Sequence, residues 1–363
     1  MNILFIAPRL HTNINYSLKA LKSKGHNISY IAQQRGLIED YSEVKPHIIN
    51  RKDFIIKNIF IIFRLISSFK PEYAIVRFPG NLLTYLTVII AKIFNSKIIL
   101  YQQIQSKSLV RILNSNNKLI AKIKYKLFLT MLNACIVTPL NNHNNKELKL
   151  HKNVYFLPFT VNVENRSYIL KKKKRILSIG KFQYRKNHLN SLKAINQIKK
   201  LGNFHFTIIG EISSAEHWNN FIEIHSYIEN NDLSDKVSIF ANIEHLKIAN
   251  FYRENDIFLL ISKNEPAAIS PLEAIGYGLI NICSKECGTI TYIKNNLNGY
   301  IVDPEKLDDL VEILNKLLID ESLFKNTFNN VQKLNYNLSK EYYYDHFLSI
   351  INDRFSNKRN EKI

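Results

Sequence analysis

The chain has 363 residues, 46% hydrophobic and 22% charged, with 50 Lys and Arg against 30 Asp and Glu, for a formal net charge of +20. That length exceeds one ordinary core and predicts two or three domains, and the composition excludes a disordered chain. Three cysteines (Cys135, Cys283 and Cys287) are too few and too odd in number for a disulfide framework, which points to a reducing compartment.

The chain opens on Met1-Asn-Ile-Leu-Phe-Ile-Ala-Pro8, whose apolar core is too short for a secretory signal and is followed by no cleavage signal; it reads as a buried strand over 3–7. No run reaches the roughly 20 apolar residues of a membrane span. The nearest stretch, 54–69, is broken by Lys57 and Arg64. The expected location is therefore the cytoplasm. Short apolar runs continue at 28–32, 73–78, 97–101 and 134–138, alternating with helix-length amphipathic segments. A break between Pro158 and Arg175 contains the run Lys171-Lys-Lys-Lys174, read as a solvated linker. Apolar runs resume at 175–180, 205–210, 236–241, 257–262 and 280–284.

Such runs carry little alternation, as strands buried on both faces should, and helices between them predict two parallel, doubly wound, Rossmann-like sheets of an α/β protein. Beyond Asp303-Pro304 the pattern is helical. A final segment at about 339–355 carries its own apolar face, with Tyr342, Tyr343, Tyr344 and Phe347, and needs a surface to cover. The expected divisions are an N-terminal domain over 1–165, a C-terminal domain over 170–335 and a terminal helix over 338–355.

The excess of cations fits nucleic acid, an anionic membrane surface or a bias towards Lys, Asn and Ile. Nucleic acid is disfavoured, because no Cys/His finger or RNP-type aromatic motif appears. Cys283 and Cys287 lack further Cys or His at zinc-site spacing and read as packing residues.

In open α/β sheets, ligands bind at the carboxyl ends of the strands. After 175–180 comes Lys181-Phe-Gln-Tyr-Arg185-Lys186-Asn187, then a helical pattern from His188, with Asn187 as its expected N-cap. Gly180 permits a tight exit, and Lys181 and Lys186 are placed to hold a diphosphate without metal. After 257–262, Ser270, Pro271 and Glu273 read as N-cap, N1 and capping-box partner of a helix whose N–H groups suit phosphate. Glu265 lies in the preceding loop, eight positions before Glu273.

Glu265 and Glu273, within a stretch continuing Pro271-Leu-Glu-Ala274 to Gly278, resemble the E-x7-E segment of the family-four retaining glycosyltransferases of the GT-B fold (glycosyl transferases group 1). Ser178-Ile-Gly180-Lys181 with Lys186-Asn187 is similar to their G-R-x…K-G segment. Cys287-Gly-Thr289 with Tyr292-Ile293 resembles their G-G-x-x-E-x-I loop, and Asn298-Gly-Tyr-Ile-Val-Asp-Pro304 their N-G-x-x-V-x-P turn. The similarity covers about 175–320. In the first half it is limited to the opening strand and the strand–helix rhythm.

The resemblance implies two Rossmann-like domains facing across a cleft, with the terminal helix crossing back onto the first. It implies that Lys186 contacts the donor diphosphate, that Lys181 keeps the charge of a family Arg without its fork, and that Gly180 lies beside them. Glu265 would act at the donor sugar as the catalytic carboxylate, and Glu273 would bind the nucleotide ribose. Amides near Ile269, Ser270 and Leu272 would hold phosphate. Pro8-Arg-Leu-His-Thr-Asn13 stands where the family often has a Gly-Gly loop, and Gln102-Gln103 where it has a His. His11, Gln102 and Gln103 are the candidate acceptor-side residues.

No Asp-x-Asp pair follows a second-half strand, so neither a metal nor another cofactor is expected. The expected activity is retaining, metal-independent transfer from a nucleotide-diphosphate sugar to a glycan or lipid-linked glycan, in surface polysaccharide assembly. A nucleotide-sugar epimerase and a non-catalytic nucleotide-sugar-binding protein are the competing readings. Residues 54–69, 81–94 and 122–132 are apolar with interspersed cations, which suits a first domain resting on the anionic inner face of the cell membrane.

Overall fold

In the computed structural model the described residues are 1–35, 41–49, 55–77, 82–114, 132–141, 148–201 and 203–356, together with 123, 125, 126, 129 and 130. The chain forms two compact units: Met1–Thr160 with Lys340–Ile363, and Val161–Ser339.

The first unit runs β1 (Asn2–Ile6), α1 (Thr12–Lys22), β2 (Asn27–Ala32), β3 (His47–Ile48), α2 (Ile55–Phe69), β4 (Tyr73–Arg77), α3 (Leu82–Ile93), β5 (Lys97–Tyr101), α4 (Ser106–Asn114), β6 (Cys135–Thr138), β7 (Lys149–His151) and β8 (Val154–Phe156). Its sheet has the order β3-β2-β1-β4-β5-β6-β8-β7, parallel except for β7 against β8. The central strands lack polar alternation because both faces are covered. Ile3, Phe5, Tyr73 and Ile75 join one core layer with Leu18 and Leu21 of α1. Their neighbours Leu4, Ile6, Ala74 and Val76 join the other with Ile62, Ile66 and Ala91 of α2 and α3. Phe78, Phe54, Asn81 and several residues of 122–132, which belong to the expected apolar runs, lie outside the described residues.

The second unit runs β9 (Lys174–Ile179), α5 (His188–Ile198), β10 (Phe204–Gly210), α6 (Ala215–Asn230), β11 (Val237–Ala241), α7 (His245–Glu254), β12 (Ile257–Leu260), α8 (Ser270–Gly276), β13 (Ile280–Ser284), β14 (Gly299–Val302), α9 (Leu307–Ile319) and α10 (Glu321–Leu334). Its sheet is parallel throughout, in the order β11-β10-β9-β12-β13-β14. After it, α11 (Lys340–Ile351) returns to the first unit, where Tyr343, Phe347, Ile350 and Ile351 enter the layer formed with α1.

The two sheets share a wiring. In each, the chain builds outward from its first strand to one edge and then resumes on the other side of that strand. The reversal falls between β1 and β4 in one sheet and between β9 and β12 in the other, the positions where doubly wound sheets receive ligands.

The basic run 171–174 is only in part the solvated linker expected: Lys172 and Lys173 are exposed, but the two residues at its ends are engaged. Lys174 begins β9 and is buried, its Nζ 2.8 Å from Glu321 and over the Phe324 ring, and Lys171 Nζ lies 2.6 Å from Asp256. Charge runs look alike in sequence whether or not acids from distant segments fold onto them. All three cysteines are buried free thiols.

Candidate functional site at the reversal point of the second sheet

Because β9 and β12 are neighbours, the loops leaving their carboxyl ends meet. The first turns through Lys181 into a short 3-10 turn, Tyr184–Lys186, and then through Asn187 in the left-handed region at φ 60°. The Asn187 side-chain amide donates to the Ile261 carbonyl (3.2 Å), and the Lys263 amide donates to the Arg185 carbonyl (2.7 Å), lacing the two loops together. Asn187 sits at the start of α5 but offers no side-chain cap, because its side chain is spent on this crossing.

Two glycines give the loop its room. A Cβ on Gly180 would lie 3.3 Å from Lys186 Cδ, so the glycine leaves the path along which the lysine runs. A Cβ on Gly210 would lie 2.5 Å from the Phe182 ring and 2.8 Å from the Gly180 carbonyl oxygen, so only glycine ends β10 there.

Lys186 reaches Glu265 with Nζ to Oε2 at 2.5 Å, and the Arg185 guanidinium donates to the same carboxylate oxygen. Lys186 and Glu265 are 7% and 5% exposed. Burial alone would raise the Glu265 pKa, but the charges and hydrogen bonds of Lys186 and Arg185 outweigh it and hold the carboxyl below its ordinary range. The Glu265 backbone is pinned as well: its amide donates to the Glu286 carbonyl (3.1 Å), and its carbonyl accepts from the Gly288 amide (2.8 Å). Behind the loop His188 is buried, its Nδ1 3.3 Å from Ser178 Oγ. Burial, and then the nearby Lys186 charge, push its pKa down to about 4, so the ring is neutral at pH 7.

The remaining expected residues take other partners. Lys181 Nζ donates to Glu211 (2.8 Å), which follows β10 directly. Glu273 is buried, and its Oε2 accepts from the Tyr252 hydroxyl (2.8 Å) while His245 Nε2 lies 3.8 Å from Oε1. The expected capping box is not formed. Ile269 occupies the N-cap position of α8 without a side-chain cap, and the Ser270 hydroxyl donates to the Ile179 carbonyl (2.9 Å), at the end of β9. The Leu272 amide is engaged with the Ile269 carbonyl (2.9 Å), as is that of Glu273 (3.0 Å). A serine preceding proline looks like a cap locally, but here its hydroxyl ties two segments of the sheet's edge together.

In the first unit, His11 occupies the N-cap position of α1 with no side-chain cap bond. Gln102 is buried, its Oε1 accepting from the Tyr125 hydroxyl (3.4 Å). Gln103 Oε1 accepts from Arg77 (3.0 Å). Arg185, Glu211 and Arg77 escape the sequence reading as site residues. Glu211 immediately follows a strand, so the rule that located Lys181 would have found it; Arg77 is the last residue of β4 but falls inside the apolar run expected at 73–78, which hid that it ends the strand.

Residues 162–334 match the family Glycosyl transferases group 1. The second unit is a glycosyl transferases group 1 domain, and the chain is a glycosyltransferase. This glycosyltransferase superposes on a glycosyltransferase from Rickettsia africae with a TM-score of 0.74 at 18% identity, over 98% of each chain. It also superposes on Anabaena HepE in complex with UDP and glucose, with a TM-score of 0.71 at 10% identity, over 97% of this chain and 100% of that one. The glycosyltransferase therefore has the GT-B fold. An uncharacterized 41.2 kDa protein in the cps region of Klebsiella pneumoniae is 24% identical over 150 residues, which are 41% of this chain and 38% of that relative.

Proposed function

We propose that the enzyme takes a sugar from a nucleotide-diphosphate sugar held by its second unit. The sugar passes, with retention of anomeric configuration and without a metal, to a glycan or lipid-linked glycan of a surface polysaccharide. The observation that carries this reading is the meeting of buried Lys186 and exposed Arg185 on the buried Glu265 carboxylate at the sheet's reversal point. Two cations already assembled there form a seat for a diphosphate. An arriving donor competes with Glu265 for them, freeing the carboxylate to turn towards the sugar. As the bond from the anomeric carbon to phosphate breaks, the lysine stabilises the charge growing on the leaving diphosphate. The acceptor oxygen bonds to the same face and its proton passes to the leaving phosphate, so no protein nucleophile is needed. Glu273, held on one oxygen by Tyr252, takes the ribose hydroxyls.

The UDP complex of Anabaena HepE and the cps-region origin of the Klebsiella relative support a nucleotide donor and a polysaccharide product. A peripheral place on an anionic membrane is part of the same reading. On α2 and α3, Ile56, Phe60 and Ile93 are 68%, 69% and 68% exposed, beside Lys57, Arg64 and Lys92 and with no acid in either helix. Among the described residues no helix is long and apolar enough to cross a membrane.

A thermal-shift panel of UDP-, GDP- and ADP-linked sugars tests the donor assignment. One nucleotide class is expected to raise the midpoint in the presence of EDTA, and the rise is expected to shrink in Lys186→Ala. A flat response to all three, or an equal response in the variant, overturns it.

A further inference from the structure

At the reversal point of the first sheet stands a cation that has no counter-charge among the described residues. Arg77 ends β4 beside β1, and its guanidinium helps line a small pocket, partly open to solvent, with Ala7, Ile14, Ser17, Tyr101 and Tyr343. One terminal nitrogen donates to Gln103 Oε1 at 3.0 Å; the other is buried with no hydrogen-bond partner among the described residues. Among the described residues no carboxylate pairs with Arg77. The charged group near enough to act on it is another cation, Arg9, and burial, then that neighbour, pull its pKa down despite the opposing effect of Tyr101 and Tyr30. A desolvated guanidinium lacking an anion is costly. Planar and five-donor, it is suited to pairing with a carboxylate or phosphate. Tyr101 supplies a second donor: its hydroxyl accepts from Gln103 at 3.5 Å, and burial pushes its pKa up to about 12, so it keeps its hydrogen at pH 7.

We propose that this pocket binds an oxyanion carried by the acceptor, either the carboxylate of an acidic sugar or a phosphate ester, with Arg77 as the residue that selects a charged acceptor over a neutral one. Its assignment to the acceptor rests on the transferase reading given above. The anion site itself stands on the first unit alone.

Thermal shift separates the two. D-glucuronate, glycerol 1-phosphate and neutral D-glucose are compared at 10 mM, with UDP, GDP and ADP measured on the same plate. At least one of the two anions is expected to raise the wild-type midpoint by about 2 °C or more while glucose does not, for an affinity near 1 mM. Arg77→Met is expected to lose that rise, and to melt at or above the wild type without ligand because an uncompensated charge is gone. Glucuronate acting alone marks an acidic sugar, and glycerol phosphate alone a phosphate ester. If Arg77→Met does not fold, Arg77→Lys keeps the charge without the planar fork and is expected to weaken the rise. Equal rises in wild type and variant, or no rise with either anion, overturn the site. A nucleotide panel without response, beside an Arg77-dependent anion rise, overturns the donor reading and leaves the anion site standing.

Discussion

The two reversal points have the same wiring and opposite electrostatics. At β9/β12, two cations share one buried carboxylate, and the backbone on both sides is laced by hydrogen bonds. At β1/β4, Arg77 has an amide for company and a second cation nearby. The first arrangement is complete in the absence of ligand, so a ligand there must displace something. The second is incomplete, so a ligand there supplies what is missing. A partly neutralised seat resists stray anions and opens for a donor able to outbid Glu265; an open one accepts any anion that fits. In a chain with a surplus of 20 positive charges, an unpaired arginine at the surface would carry no message. Arg77, half-buried with one guanidinium nitrogen wholly so, does.

The largest effect expected comes from unbalancing the compensated site. Lys186→Ala leaves Glu265 buried with a single cation, and about 3 kcal/mol of stability should be lost in urea titrations. In steady-state assays the same variant should turn over donor at least about tenfold more slowly. Arg77→Met, by contrast, should cost no stability. If both substitutions destabilise alike, the contrast between the two sites is lost. Glu265→Gln keeps the shape of the side chain and removes the charge. Its kcat should fall by about tenfold or more while donor affinity changes less, and an unchanged kcat would separate Glu265 from the reacting sugar.

Next comes acid. His188 titrates near 4 in the folded chain and near 6.5 when unfolded, so between those values the unfolded state binds the extra proton and stability falls as pH drops. The full loss is about 3 kcal/mol, developed between about pH 6.5 and 4. Urea midpoints across that window in wild type and His188→Gln check it, the variant being flatter. Glu265 acts at lower pH: its carboxyl is held below the ordinary range, so its contribution disappears only as pH falls through that lowered value.

The smallest pair concerns glycines. Gly210→Ala drives a methyl into a ring and a backbone carbonyl and should cost about 1–3 kcal/mol. Gly180→Ala meets only the flexible stem of Lys186 and should cost less than about 1 kcal/mol, yet slow donor turnover by displacing that lysine. Equal losses of stability in the two would show that the Lys186 path is no more forgiving than the Phe182 ring.

Much of this architecture was legible in the sequence because buried parallel strands write themselves as unbroken apolar runs. The runs expected at 97–101 and 280–284 coincide with β5 and β13, and that at 3–7 is offset by one residue from β1. The two-residue strand β3 and the three-residue strands β7 and β8 were not anticipated, since strands so short carry no periodicity of their own. In the site, the meeting of Lys186 with Glu265 could be expected from one rule about the carboxyl ends of strands. What failed were the local rules. Ser270 and Asn187 have cap-like sequences, but their side chains bond to Ile179 and Ile261, segments that no local pattern brings near. Lys181 looked like a partner of Lys186, and Glu211, thirty positions on, claims it instead. Propensity describes a residue's options; the tertiary neighbours choose among them.

The return of α11 has a consequence for the order in which the protein is made. Residues 161–339 are contiguous, so that half can close its core as soon as it has left the ribosome. The first half, though synthesised earlier, lacks Tyr343, Phe347, Ile350 and Ile351 until the last stretch emerges. During translation the amino-terminal sheet must therefore wait, one apolar face covered by α1 alone, while the later half folds ahead of it.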